Sequence, residues 1–479
     1  MEKTTLVLYP GLGVGHLSPM LELSKCLLRH GGGALGIAVV LAESPFEDSG
    51  FAAPAVARVR ASNPSVAFHV LPSPSPPPPS PPEDDHPVAR MLRFLRATNA
   101  PLRALLRALH PAPRALVLDM FCAHALDVAA DLALPAYVFS PTGASGLAVF
   151  LALPAAWASA GGYAGLGDDD ALPPFAGAPP LRAAVLPQLI RDGGAACELS
   201  LGLAARVPDA RGILLNSFEA LEPRAVRALR DGLCVRGRAM PPVYCVGPLV
   251  AAPAGGDGDR GDRGHECLRW MDAQPDRSVV FLCFGSMSAF AKNQLQEIAV
   301  GLESSGQRFL WVVRGPRGHG EAAAGEDGLG ALLPAGFRER TRGRGLAVAS
   351  WAPQVDVLRH RAAGAFVTHC GWNSTLEGVA AGLPLLCWPL YAEQGLNKVF
   401  IVEEMRLGVE VERSRAGDDE DVVRAEEVEA KVRWVMEDSD GARALRARAA
   451  AARDRAAEAL AEGGTSHAAF FEFLEDLDA

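Results

Sequence analysis

No two cysteines in this chain stand at C-x-x-C spacing, and the nine present are scattered singly. A disulfide framework needs clustered, paired cysteines, so this set reads as reduced thiols of a cytoplasmic protein. Positive charge is not in excess either, since 46 Lys and Arg against 56 Asp and Glu give a net charge of −10. Such a balance argues against nucleic acid or an anionic membrane as partner. The start lacks a basic end followed by an apolar middle, because Met1-Glu2-Lys3 run straight into Leu6-Val7-Leu8-Tyr9, and no signal peptide is expected. Residues 132–167 carry no charge, yet Pro135, Pro141 and Pro154 interrupt them. Crossing a bilayer takes about 20 apolar residues in one helix. The segment is instead expected to be a buried strand (135–139), a loop and a buried helix (146–153), with no membrane span. It is apolar enough to line a pocket for an apolar ligand.

What the chain does have is length, apolar content and alternation. Its 479 residues, 49% of them hydrophobic, exceed one ordinary core and point to two or three domains. Strand-like runs at 6–9, 38–41, 115–118, 135–139, 212–215 and 243–246 are separated by helical patterns. One helix is expected to start with Ser18 as N-cap and Pro19 in the first position; another is expected to span 91–109. Residues 72–82, rich in Pro and Ser, read as a flexible surface loop. Residues 251–264, rich in Gly, Ala, Asp and Arg without periodicity, read as a linker. The alternation then restarts, with strands at 279–284, 309–313, 346–350, 365–368 and 384–388. A Gly-rich mobile loop is expected at 315–330 and a solvated helix at 442–460. A last helix, begun by Thr465, carries an apolar face that must pack on something. Two runs of βαβ alternation imply an α/β protein with two parallel sheets. Domains are expected at 1–250 and 265–460, joined by 251–264, with a C-terminal helix in 461–479.

Ligands in such folds sit at the carboxyl ends of strands. His16, Asp119, Ser286, Trp351, His369 and Gln394 all stand just after predicted strands. The joint at 365–381 is the richest. A strand runs into His369-Cys370-Gly371-Trp372-Asn373-Ser374, and a helix follows. Unpaired N–H groups and the positive end of the helix dipole favour an anion there. Gly371 permits close approach, and Asn373 or Ser374 can cap the helix. Glu377, a turn later, suits a ribose diol. Tyr391, Glu393 and Gln394 suit sugar hydroxyls, and the Gln394 amide offers one acceptor and two donor hydrogens. His16 follows a Gly11-x-Gly13-x-Gly15 turn, which departs from the dinucleotide spacing G-x-G-x-x-G. Asp119, by itself, reads equally as a turn or cap aspartate. No second His, Cys or Asp stands at ligand spacing from His369, so no metal is expected.

The 44 residues 351–394, from Trp351 through His369-Cys370-Gly371-Trp372-Asn373-Ser374 to Gln394, resemble the signature box of plant small-molecule UDP-glycosyltransferases. Leu214-Leu215-Asn216-Ser217-Phe218-Glu219-Ala220-Leu221-Glu222 and Phe284-Gly285-Ser286 are also similar to landmarks of that family. The resemblance implies two Rossmann-like βαβ domains facing across a cleft, the GT-B type, with the last helix crossing back onto the first domain. It implies that His16 is the general base and that Asp119 bonds it. It makes Trp351, with Ala352 beside it, the uracil-stacking position, and gives the ribose to Gln354 and Glu377. Ser286, His369, Gly371, Asn373 and Ser374 would hold the diphosphate. Trp372, Tyr391, Glu393 and Gln394 would read the hexose, with Glu393 where many relatives have Asp. The expected reaction is inverting transfer of glucose from UDP-glucose, a co-substrate, to a hydroxyl of a small phenolic acceptor, flavonoid or chalcone-like. No cofactor is expected, and the protein is expected to be a monomer. Two alternatives stand beside it, a non-catalytic nucleotide-sugar-binding protein and an NAD-dependent dehydrogenase.

Overall fold

The structure is a computed structural model that describes residues 4–31, 35–43, 46, 52–74, 86–252, 265–315, 326–412 and 422–478. The chain divides into two compact units, Met1–Val250 with Glu458–Ala479, and Ala251–Ala457.

The first unit is built on seven strands: β1 (Thr4–Tyr9), β2 (Leu35–Ala42), β3 (Val66–Leu71), β4 (Pro113–Asp119), β5 (Ala136–Ser140), β6 (Gly212–Leu215) and β7 (Val243–Cys245). All neighbours pair in parallel, in the order β3-β2-β1-β4-β5-β6-β7. Helices cover both faces, so the central strands are near-continuous apolar runs. Successive side chains of β1 and β4 serve opposite cores: Val7, Tyr9, Leu116 and Leu118 one, Leu6, Leu8, Ala115 and Val117 the other. Strand order reverses between β1 and β4, which opens a crevice at their carboxyl ends.

The second unit repeats the plan with β8 (Val279–Cys283), β9 (Arg308–Val313), β10 (Gly345–Ala349), β11 (Ala363–Thr368), β12 (Leu385–Cys387) and β13 (Gly408–Glu410), in the order β10-β9-β8-β11-β12-β13. Its core gathers Val280, Leu282, Trp311, Val313, Ala365 and Val367. Its reversal falls between β8 and β11.

Several elements differ from their sequence reading. The first helix runs Val14–His30, so Pro19 lies inside it and His16 in its first turn. Gly13, at φ 88°, turns the chain, and its carbonyl takes the N–H groups of His16 and Leu17. The single helix expected at 91–109 is two, Pro87–Ala97 and Asn99–Ala108. Pro101 has no N–H to continue the first helix, which therefore stops. The Asp440–Leu460 helix is not solvated all round, because Ala442, Leu445, Ala449, Ala452, Ala456 and Ala459 are buried. That spacing marks one face of a helix, and alanine is small enough to be overlooked as an apolar face. The expected loop at 315–330 contains a helix, Glu326–Leu332; its residues 316–325 lie outside the described ones. So do 75–82 of the proline-rich segment and 253–264 of the linker segment. β3 escaped the sequence reading because its six residues are half exposed and carry His69 in the middle. Among the described residues no helix is long and apolar enough to cross a membrane.

Within the first unit the Thr465–Asp478 helix packs beside β7. Phe473 is fully buried, its ring 4.9 Å from that of Tyr137 and 5.8 Å from that of Tyr244. Asp476 accepts from Tyr137 Oη at 2.5 Å and from both Arg211 Nη2 (3.0 Å) and Nε (3.1 Å).

Candidate functional site

At the reversal of the first sheet, β1 leads through Gly11-Leu12-Gly13 to His16, and β4 ends at Asp119. Their side chains meet, with His16 Nδ1 2.9 Å from Asp119 Oδ2. Asp119 is fully buried, and its Oδ1 accepts the N–H of Phe121 at 2.9 Å. The cap role and the histidine contact are thus both filled by one carboxylate. A hydrogen on Nδ1 is placed to be donated to this carboxylate, the tautomer that makes Nε2 the basic nitrogen of the ring. The Phe121 ring lies 4.4 Å from the imidazole and restricts it further. A Cβ at Gly11 would stand 2.7 Å from Asp119 Oδ1 and 3.3 Å from His16 Cγ, so only glycine leaves room for the pair. Gly11 and Phe121 were not singled out as partners of this pair in the sequence; the strand-to-helix turn was the available signal.

At the reversal of the second sheet, β8 leads to Gly285-Ser286 and β11 to His369. The imidazole is wedged between two glycines: a Cβ at Gly285 or Gly371 would lie 2.6 or 2.5 Å from His369 Nε2. Burial lowers its pKa to about 4, so His369 is neutral near pH 7. Its Nδ1 is buried without a partner. The helix Trp372–Ala381 begins at Gly371 as N-cap, with no side-chain cap. Asn373 and Ser374, expected as possible caps, are first-turn residues, because the chain is already helical at Trp372. The opening N–H groups are therefore not closed off by a capping side chain.

Gln354 Nε2 donates to Ser374 Oγ at 2.9 Å and to Glu377 Oε2 at 2.5 Å, so three of the expected residues form one cluster. Trp351 is 37% exposed, edge-on to His265 at 5.4 Å, while Ala352 is buried. Tyr391 is exposed and Glu393 is the N-cap of the Gln394–Val399 helix. Gln394 and Trp372 are each only 3% exposed. Gln394 Oε1 already accepts the N–H groups of Leu390 (2.9 Å) and Tyr391 (3.0 Å). Its acceptor is thus committed to the loop, and the NH₂ group takes no part in those two bonds. Trp372 presents little of its indole, being packed in the first helical turn. Arg314, just past β9, was missed in the sequence; its Nη1 donates to the Ser286 carbonyl. Its place at a strand end was the overlooked signal. Among the described residues no group of three His, Cys, Asp or Glu could hold a metal ion.

A sequence model of the family described as UDP-glucoronosyl and UDP-glucosyl transferase matches residues 240–428. The anthocyanidin 5,3-O-glucosyltransferase of a Rosa hybrid cultivar is 40% identical over 99% of this chain and 99% of its own. The chain belongs to the UDP-glycosyltransferase family. A second relative of this UDP-glycosyltransferase, the phloretin 2′-O-glucosyltransferase of Pyrus communis, is 38% identical over 98% of this chain and 99% of its own. Among solved structures, Medicago truncatula UGT71G1 complexed with UDP-glucose matches with a TM-score of 0.85 at 32% identity, covering 100% and 99% of the two chains. The α/β fold expected from the sequence, two Rossmann-like domains of the GT-B type, is the fold of this family, and the protein is a glycosyltransferase. The dehydrogenase alternative falls with that membership.

Proposed function

We propose that this glycosyltransferase moves glucose from UDP-glucose to a hydroxyl of a small phenolic acceptor of flavonoid or chalcone type, with inversion at the sugar carbon. The observation that carries the reading is the His16–Asp119 pair at 2.9 Å, anchored by Phe121 and cleared by Gly11. A non-catalytic nucleotide-sugar binder has no use for such a pair. The donor follows from the UDP-glucose complex of the Medicago relative, and the acceptor class from two relatives named for anthocyanidin and phloretin. Both of those names are phenols.

His16 Nε2 takes the proton of the acceptor hydroxyl, and buried Asp119 steadies the imidazolium that forms. The oxygen attacks C1 of the glucose from the face opposite the diphosphate. Negative charge grows on the departing UDP. Neutral His369, Ser286 and the backbone N–H groups at the start of the Trp372–Ala381 helix, which has no side-chain cap, meet it with donors already in place. Trp351 stacks on uracil, while Gln354 and Glu377 hold the ribose. The Gln394 NH₂ donates to the hexose. Nine free cysteines suit a reducing cytoplasm.

The test is incubation of the protein with UDP-glucose and a panel of phenols that includes a chalcone and a flavonol, read by UDP release and product mass. A hexose-shifted product from at least one phenol is expected. UDP release without a glycosylated phenol, or no turnover with any of them, would defeat the assignment.

A further inference from the structure

The short helix Gln394–Val399 carries two buried amides three residues apart, hence on one face. Gln394 binds the Leu390–Tyr391 loop from behind. Asn397, almost one turn on, donates from Nδ2 to the backbone carbonyl of Cys370 at 2.9 Å. Both Asn397 and Cys370 are shut off from solvent, so water cannot replace that bond.

Cys370 sits between His369 and Gly371 at φ 65°, a left-handed conformation that a residue with a Cβ adopts only when its surroundings impose it. Thr368 Oγ1 holds the Cys370 N–H at 3.2 Å, and Asn397 holds the carbonyl. A trans peptide is planar, with its C=O and N–H pointing opposite ways. Drawing the Cys370 carbonyl toward Asn397 therefore turns the Gly371 N–H away from it, at the N-cap of the Trp372–Ala381 helix. Asn397 Oδ1, meanwhile, is buried without a partner. An orphaned buried oxygen lowers stability. It lies beside a strained cysteine, and local compromises of this kind gather where a protein holds a functional geometry.

We propose that Asn397 is a positioning residue for the diphosphate of the donor: it fixes the left-handed Cys370 turn so that the backbone N–H groups from Gly371 onward face the phosphates. The inference rests on the reading of the 369–374 turn as the UDP site. Asn397 lies beyond the 351–394 box, and nothing in its spacing marks it.

The test compares UDP with uridine, which lacks the phosphates, by isothermal titration on the full chain. Asn397→Leu keeps the branched outline, at a somewhat larger volume, and removes the donor. It should weaken UDP by about 10–100-fold, the worth of one or two charge-assisted hydrogen bonds, and leave uridine within about 2-fold of wild type. Unchanged UDP affinity overturns the proposal. Equal loss of UDP and uridine also overturns it, since that is the mark of a general packing defect. Should Asn397→Leu fail to fold, Asn397→Asp carries the test. A buried carboxyl donates only while protonated, so this variant should lose UDP affinity relative to wild type as pH rises from about 5 to about 8. A ratio that stays flat with pH overturns the proposal. If wild type itself binds UDP no better than uridine, the donor-site reading fails and takes this inference with it.

Discussion

His16 and Gly11 make a matched pair of tests at the level of single residues. His16→Ala removes the base and should lower turnover of an unactivated phenol by about 10²–10⁴-fold, with UDP binding unchanged by titration. Gly11→Ala leaves the histidine in place, but its Cβ would stand 2.7 Å from Asp119 Oδ1. The carboxylate must move, and Gly11→Ala should lose about 10-fold or more in kcat with UDP binding again unchanged. Full activity in Gly11→Ala would show that the pair tolerates displacement. His369 gives a pH test. Burial holds its folded pKa near 4, against 6.5 for a free histidine. Between those values the unfolded chain binds a proton that the folded chain refuses, so stability falls as pH drops from 6.5 toward 4. Relative to His369→Gln, wild type should lose about 1.4 kcal/mol per pH unit in that window, read by urea unfolding. Equal slopes would mean the imidazole is solvated. The strand-end positions of His16, Asp119 and His369 are legible in the sequence as strand-to-helix joints. The Gly285 backbone against the His369 ring is not, because it is a contact between separate segments; Gly371 and the Leu390–Tyr391 loop are close in sequence to their partners, but the backbone path that brings them into contact is set by the turn and not by residue type.

Among the elements, the Thr465–Asp478 helix depends on the sheet it covers. Phe473 is fully enclosed by Tyr137 and Tyr244, and Phe473→Ala should cost about 3–5 kcal/mol, the transfer loss plus the cavity. Circular dichroism during thermal unfolding would show it, and a shift under about 1 kcal/mol would mean that the helix is dispensable. Its polar anchor is sensitive to acid. Burial alone would raise the Asp476 carboxyl, but Arg211 and the Tyr137 hydroxyl hold it below its usual range. Its stabilisation is thus present above the ordinary carboxylate range and lost as pH falls through the lowered value. The amphipathic pattern Phe470, Phe473, Leu474 announces a helix that must pack. Its partner strand, β7, is more than two hundred residues away and could not be read locally. The 440–460 helix shows the reverse case. Its charges are conspicuous in sequence, while its buried alanine face becomes visible only once packing is known.

The whole molecule has two units, each with hydrophobic clusters of its own, about β1–β7 and about β8–β13. Calorimetry should therefore resolve a response in each. UDP at 100 times its Kd should raise the stability of the second unit by about 2.7 kcal/mol, and Phe473→Ala should lower only the first. A single transition that moves as one body in both experiments would contradict independent cores. By itself the sequence determined the α/β class, the strand runs other than β3 and β13, the two restarts and the turns after β1, β8 and β11. It did so because hydrophobic period and turn chemistry are local properties of a chain. Tertiary structure alone decided which atoms stay available for chemistry. His16 and Asp119 are 103 residues apart and meet only because β1 pairs with β4. Asn397, on the Gln394–Val399 helix, reaches the Cys370 carbonyl 27 residues away. A side chain's reactivity is what remains after its packing partners have used their share of its hydrogen-bonding groups, and those partners are set by the fold.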